Sequence, residues 1–319
     1  MSNKEYKPTL AQLRTFVTIA EHKHFGTAAS KLHISQPSLS QALVALESGL
    51  NIQLIERSTR KVIVTPAGKE LLPFAKATLE AADAFVSHAK GTHGVLHGPL
   101  TIGVIPTVAP YLLPGLLPLL NQEFAELRPR IVEEQTEHLL AQLRDGRMDL
   151  AILALPTDAT GLTEVPLYDE EFVVVTGTDS AHAGSRKLSL DALSNLELLL
   201  LDDGHCLRDQ VIDLCKRADA RNASAAHSDT RAASLTTIIQ LVMAGFGATL
   251  VPLSAVATEC DRPDLGLATF AKGVEAHRTI GLAYRASSTR GEEFAALGRL
   301  IVQAYGAAAE RSTTVLAKS

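Results

Sequence analysis

Between Phe25 and Leu43 the residues allow little besides two short helices meeting at a tight turn. Phe25-Gly26-Thr27-Ala28-Ala29-Ser30-Lys31-Leu32 offers the small side chains that let one helix press on another. After His33-Ile34, the run Ser35-Gln36-Pro37-Ser38-Leu39-Ser40-Gln41-Ala42-Leu43 begins with a capping serine and a proline suited to an opening turn. Ile34, Leu39, Leu43 and Leu46 are expected to supply the shared core. Upstream, Thr9 and Gln12 make a capping box ahead of the stripe Leu10, Leu13, Phe16, Val17 and Ala20, which predicts a first helix over 9–22. Downstream, Leu54 to Thr65 reads as a two-stranded hairpin carrying Arg57, Arg60 and Lys61. Residues 1–66 are therefore expected to form a winged helix-turn-helix domain that binds double-stranded DNA. Gln36, Pro37, Ser38, Ser40 and Gln41 would stand at the base-reading end of the recognition helix, and the three cations would stand beside phosphates.

Charge points the same way. Residues 1–90 hold 11 Lys and Arg against 7 Asp and Glu, net +4, which leaves −9 on the rest of a chain whose total is −5. A basic head on an acidic body suits an anionic partner for the head. Residues 67–90 follow Thr65-Pro66 with Leu72, Ala75, Leu79, Ala82 and Val86 at alternating spacings of three and four, the pattern of a linker helix that pairs two copies. Such a dimer would present two recognition helices to a partly palindromic site.

After a Gly91-Thr92-His93-Gly94 link, with a hinge expected over 91–98, the body alternates apolar strand-like runs with helical ones. The strands are expected at 99–105, 149–154, 171–176, 197–201, 247–252 and 279–284, and helices at 109–124 and 234–244. This is an α/β pattern, a fold class that places ligands at strand C-terminal ends and helix N-termini. Thr107 sits at such an end, as a ligand contact or as the cap of the helix after it.

The turn Asp202-Asp203-Gly204 and the run His205-Cys206-Leu207-Arg208-Asp209-Gln210 put one thiol in the first turn of a helix, with Cys215 nine residues on. The helix dipole, His205 and Arg208 are expected to favour the thiolate at Cys206. On one helix the two sulfurs would be separated by about 13 Å of rise and about half a turn, so a disulfide would require unwinding. The pair reads as a redox switch, although buried cysteines are often only small hydrophobes. The three cysteines lack the spacing of a structural zinc site, and no metal is expected. Cys260, in a loop-like segment, is given no role, and the tail from Ala307 is expected to be mobile. The chain's 319 residues, 46% hydrophobic and 20% charged, suit a globular protein of two or three domains. With no long apolar run, it is expected to be soluble and cytoplasmic, without a membrane partner.

The head, from Leu10 through the Ala28-Ala29 and Ser35-Gln36-Pro37-Ser38 helices to Thr65-Pro66-Ala67-Gly68, resembles the LysR-type transcriptional regulators, and the similarity extends over almost the whole chain. Gly103-Val104-Ile105-Pro106-Thr107, together with Asp203 to Gln210 and Cys215, is similar to the hydrogen peroxide-sensing branch of that family. The resemblance implies a regulatory body, 99–319, of two Rossmann-like subdomains resembling a periplasmic binding protein, one over about 99–168 and 276–306, the other over about 169–275. It implies that Cys206 is the peroxidatic cysteine and Cys215 the resolving one, with Thr107, Thr136, His205 and Arg278 around the peroxide. It further implies a homodimer and a homotetramer, a cellular dithiol that resets the switch, RNA polymerase as a candidate partner, no cofactor and no enzymatic role. Two other readings are open: a regulator whose cleft binds a small organic metabolite, with both cysteines incidental, and a thiol peroxidase, against which the DNA-binding head argues.

Overall fold

The computed structural model describes residues 6–57, 62–89, 96–218 and 227–318. Its head is built from α1 (Leu10–His22), α2 (Phe25–Lys31) and α3 (Gln36–Leu50), then the antiparallel strands β1 (Ile55–Arg57) and β2 (Val62–Val64). The expected caps form: the Thr9 hydroxyl accepts from Gln12 N at 3.2 Å, Gln12 Oε1 accepts from Thr9 N at 2.9 Å, and Ser35 Oγ accepts from Ser38 N at 3.2 Å. Phe16, Ile19, Ala28, Ala29, Leu39, Leu43 and Leu46 make the head's core. Ile34 does not join it. His33 takes a left-handed turn conformation (φ 54°), and Ile34 behind it is 40% exposed.

The linker is α4 (Pro66–Ala89). Its expected pairing stripe is partly used within the chain, since Leu72 and Ala75 are buried against the head's core and Leu79 packs on it. The large apolar side chains left outside are Val86 of that stripe together with Phe74 and Phe85, which lie off it, so the free face coincides only in part with the one expected.

The body runs β3 (Gly98–Val104), α5 (Ala109–Glu123), β4 (Leu127–Glu133), α6 (Thr136–Arg144), β5 (Leu150–Leu155), β6 (Leu162–Gly177), β7 (Leu198–Leu201) and α7 (Cys206–Ala218). It continues with β8 (His227–Ala232), α8 (Leu235–Met243), β9 (Thr249–Pro252), α9 (Val256–Glu259), β10 (Leu265–Thr269), β11 (His277–Arg285) and α10 (Gly291–Leu316). The main sheet is ordered β4-β3-β5-β11-β6-β10, with β9 also pairing β6, and β7 pairs β8 alongside. β3 is parallel to β4 and β5, whereas β11 returns antiparallel to β5 and β6. The buried apolar runs of β5, through Ala154, and of β7 are what a strand covered on both faces requires.

Two apolar cores result. One surrounds β3, β5, α5 and the start of α10; the other surrounds β7, β9, α7, α8 and the far part of β6. β6 and β11 run along their junction, and the α/β fold expected from the sequence is present. The tail is not free: α10 continues unbroken to Leu316, with Ala308, Ser312 and Leu316 buried at four-residue spacing, and Ser312 Oγ accepts from Ala257 N at 3.1 Å. Small side chains let that end of α10 lie close to α9, a packing role that a polar, small-residue composition conceals.

Candidate redox site between the two cores

Cys206 opens α7, delivered there by the buried strand β7 and the turn Asp202–His205. Gly204 adopts φ 91°, a left-handed conformation that favours glycine, and the end of the Gln135 side chain lies close against it. Thr107 follows β3, Thr136 begins α6, and Arg278 lies on β11. The structure brings Thr107, Thr136, His205 and Cys206 onto one tight pocket, with Ile105, Pro106, Gln135 and Gly204 completing its walls. A larger hollow beside Cys260 and Arg262 lies away from this thiol.

Arg278 stands behind the pocket with its side chain fully buried. Its Nη1 donates to Thr107 Oγ1 at 2.8 Å and its Nη2 to the Thr107 carbonyl at 3.0 Å. Nε and Nη2 donate to Glu170 Oε2 at 2.9 and 2.7 Å. Burial alone would weaken Arg278 as a base, but Glu170 and Cys206 outweigh it and hold its pKa up. These bonds correct one expectation: α5 is capped by Val108 without a side-chain bond, and the Thr107 hydroxyl serves Arg278 instead. Because Thr107 Oγ1 accepts from the guanidinium, its own proton is available to another acceptor.

Burial pushes the Cys206 thiol up; Arg278, then Thr136 and the Leu207 N–H, pull it down without overcoming that rise. Thr136 Oγ1 is buried without a partner of full hydrogen-bond geometry, yet it lies near enough to the sulfur to favour the thiolate. Of the three activators expected from the sequence, the helix N-terminus contributes through the Leu207 N–H, whereas the two side chains do not. Burial pushes His205 down, toward the neutral imidazole, with its Nδ1 unpartnered. Arg208 turns away to Asp203 at 2.8 Å and Asp209 at 3.4 Å. Local sequence places both side chains beside the thiol, but a deeper cation from a distant strand dominates.

Cys206 packs against the first core and Cys215 against the second, from the two ends of one helix. Both thiols are free, as is Cys260, which caps α9 at the start of a non-helical bend, in line with the loop-like segment expected, and whose thiol burial pushes up to about 12. Among the described residues, no cluster of His, Cys, Asp and Glu has the arrangement of a metal site.

Glu170 escaped the sequence reading, since Tyr168-Asp169-Glu170-Glu171 has no local mark that separates one acid from the next. The available signal was register: Glu170 on β6 is the cross-strand partner of Arg278 on β11. On the head, Gln36, Pro37, Ser38 and Gln41 are exposed along the start of α3, and Ser40 is half-buried. Arg57 ends β1, whereas Arg60 and Lys61 lie outside the described residues.

The pattern of the LysR substrate binding domain matches residues 93–306, and that of the bacterial regulatory helix-turn-helix protein, lysR family, matches residues 10–69. The chain belongs to the LysR family. A Mycobacterium leprae protein described as a probable hydrogen peroxide-inducible genes activator is 49% identical over 301 residues, 94% of this chain and 96% of its own. Among solved structures, the Corynebacterium glutamicum OxyR C206S mutant, bound to hydrogen peroxide, is 61% identical, with a TM-score of 0.69 over 98% of this chain and 97% of that one. The oxidised form of the C. glutamicum OxyR is 60% identical, with a TM-score of 0.62 over 98% and 97%. Within the LysR family this regulator therefore belongs with OxyR.

Proposed function

We propose that this LysR-family regulator senses hydrogen peroxide at Cys206 and transmits the event to DNA through a Cys206–Cys215 disulfide. The observation that carries the reading is the convergence of a helix-opening thiol, two threonine hydroxyls, a histidine and a buried arginine on one closed pocket. Relatives described as activators induced by hydrogen peroxide support it, as does an OxyR relative with peroxide bound. The reading in which an organic metabolite fills the cleft is not favoured by these relatives.

The chemistry follows from the donors. The Cys206 thiolate attacks one peroxide oxygen; the S–O bond forms, the O–O bond breaks, and hydroxide leaves. Thr107 is set to donate to that oxygen, while Arg278 and His205 stabilise the departing charge. Cys206 becomes a sulfenic acid. The Cys215 thiolate then attacks its sulfur and releases a second hydroxide, giving a disulfide that a cellular dithiol reduces. Because the two sulfurs belong to opposite ends of α7 and to different cores, the bond requires α7 to unwind and the cores to repack.

On the DNA side, Gln36, Pro37, Ser38, Ser40 and Gln41 would meet base edges, with Arg57, Arg60 and Lys61 on phosphates. Exposed Phe74, Phe85 and Val86 of α4 suit a dimer, assembled further into a tetramer. RNA polymerase and a thiol reductant complete the partners of a cytoplasmic switch; no described helix is long and apolar enough to cross a membrane.

The test is mass spectrometry of reduced protein after one equivalent of hydrogen peroxide, in the native chain, Cys206→Ser and Cys215→Ser. A Cys206–Cys215 disulfide within seconds, and a trapped sulfenic acid at Cys206 when Cys215 is absent, is the expected result. Slow oxidation of all three cysteines alike would sink the reading.

A further inference from the structure

Glu170 is a buried carboxylate of the body for which the peroxide chemistry above has no use. Its Oε2 accepts twice from Arg278, at 2.9 and 2.7 Å, and its Oε1 accepts from Ser254 N at 3.0 Å. The side chains of Glu170 and Arg278 are both fully buried. Glu170 thus ties the cation behind the pocket to the second core, while Thr107 ties it to the first. We propose that Glu170 is a positioning residue that restrains Cys206: it pins the Arg278 guanidinium on Thr107 and cancels part of its charge, so that the resting thiol feels only a fraction of the cation. This rests on the reading of Cys206 as the reactive thiol.

The argument is electrostatic and geometric. In a closed pocket the effective dielectric is low, and a unit charge several ångströms away weighs heavily on a thiol. Arg278 and Cys206 are near enough for each to shift the other, and Glu170 sits on the far side of that same guanidinium. The charged and titratable groups around the pair come from several elements: Arg278 from β11, His205 from the preceding turn and Asp209 from α7 face the Cys206 region, with the uncharged Thr136 hydroxyl of α6 beside them; Tyr168 on Glu170's own strand and Tyr305 on α10 lie near Glu170 and Arg278, and Tyr111 on α5 lies near Arg278. None of the others cancels Arg278 by direct contact among the described residues. An arginine held without an acid would pull harder on the thiolate.

The experiment is the pH profile of Cys206 alkylation by iodoacetamide in the reduced full-length chain, read by mass spectrometry, for native protein, Glu170→Gln, Glu170→Met and Glu170→Asp. Both neutral variants should move the midpoint down by about one pH unit, and Glu170→Asp should return it to near the native value. A midpoint that stays put or rises in a folded neutral variant overturns the proposal, as does a Glu170→Asp midpoint as low as that of the neutral variants. Failure of both neutral variants to fold would also overturn it, by making Glu170 a structural brace. Alkylation uses no peroxide, so a shifted midpoint beside uniform, slow peroxide oxidation would leave the role of Glu170 standing and remove only the sensor reading.

Discussion

The Thr107 hydroxyl meets Arg278 at 2.8 Å, and through that bond a residue on β3's exit aims a cation carried by β11. Thr107→Val keeps the shape but removes the acceptor, leaving a buried charged donor short of a partner at a cost of about 1–3 kcal/mol. Stopped-flow oxidation of Cys206 by hydrogen peroxide is expected to slow by about tenfold or more in that variant, and Thr107→Ser to recover most of it. Equal rates in all three would take Thr107 out of the chemistry. The thiols make a pH statement as well. Burial pushes Cys206, Cys215 and Cys260 up, Cys260 to about 12, so the folded chain holds these protons more tightly than the unfolded one. The stability they contribute is fully present below the unfolded thiol's pKa, about 8.5, and drains away as pH rises through the folded values. The urea midpoint should therefore fall from pH 8.5 upward, and Cys260→Val should flatten that fall; an identical slope would show that Cys260 is not the source. Residues with a distinctive neighbourhood in sequence, such as Cys206 after Asp202-Asp203-Gly204-His205, announced themselves. Glu170 did not, since its meaning comes from a strand more than 100 positions away.

α7 is the element on which the switch turns. It is held at its first turn by Asp203, which accepts from Arg208 at 2.8 Å and from Arg231 at 3.0 Å, and near its last turn by Arg217 donating to the Glu275 carbonyl at 2.8 Å. Asp203 is 71% exposed, so each of its ion pairs is worth well under about 1 kcal/mol, enough to bias unwinding without threatening the fold. Asp203→Asn should leave the first oxidation of Cys206 unchanged and speed the following disulfide step by about two- to fivefold, as seen by quenching at intervals and counting free thiols. A slower disulfide step would mean that Asp203 guides the unwinding instead of resisting it. Elements were legible where periodicity and caps agreed, as in α1 and α3. They were missed where charge or brevity hid them: β4 reads Leu127-Arg128-Pro129-Arg130-Ile131-Val132-Glu133, with a proline and two arginines on its exposed edge, and β10 has five residues. The end of α10 reads as a mobile tail from Ala307 because Ala308 and Ser312 look like tail until α9 is there to pack against them.

At the scale of the whole molecule, the head and the body meet through α4. Arg285, at the end of β11, donates to Glu80 on α4 at 3.0 Å and to the carbonyls of Met148 at 2.5 Å and Leu143 at 3.3 Å. Ser288 donates to the other oxygen of Glu80 at 3.2 Å, and Lys76 joins Glu21 of α1 at 2.6 Å to the Gly146 carbonyl of the body. Arg285 thus lies on the same strand as Arg278, so a rearrangement at the thiol pocket has a continuous β11 path to the linker helix. The Arg285–Glu80 pair is only 4% and 15% exposed, and breaking such a pair from one side costs up to about 3–5 kcal/mol where burial is complete. Glu80→Gln leaves Arg285 its two carbonyls and should loosen the joint without unfolding either part. Cys206 oxidation is expected to stay within about twofold of the native rate, because the pocket is untouched, while the difference between reduced and oxidised DNase footprints shrinks. A variant with an unaltered footprint change would place the transmission elsewhere, in the pairing of subunits through the exposed face of α4. A variant that oxidises slowly would instead tie the joint to the pocket itself, since a coupling free energy acts in both directions between the sites it links.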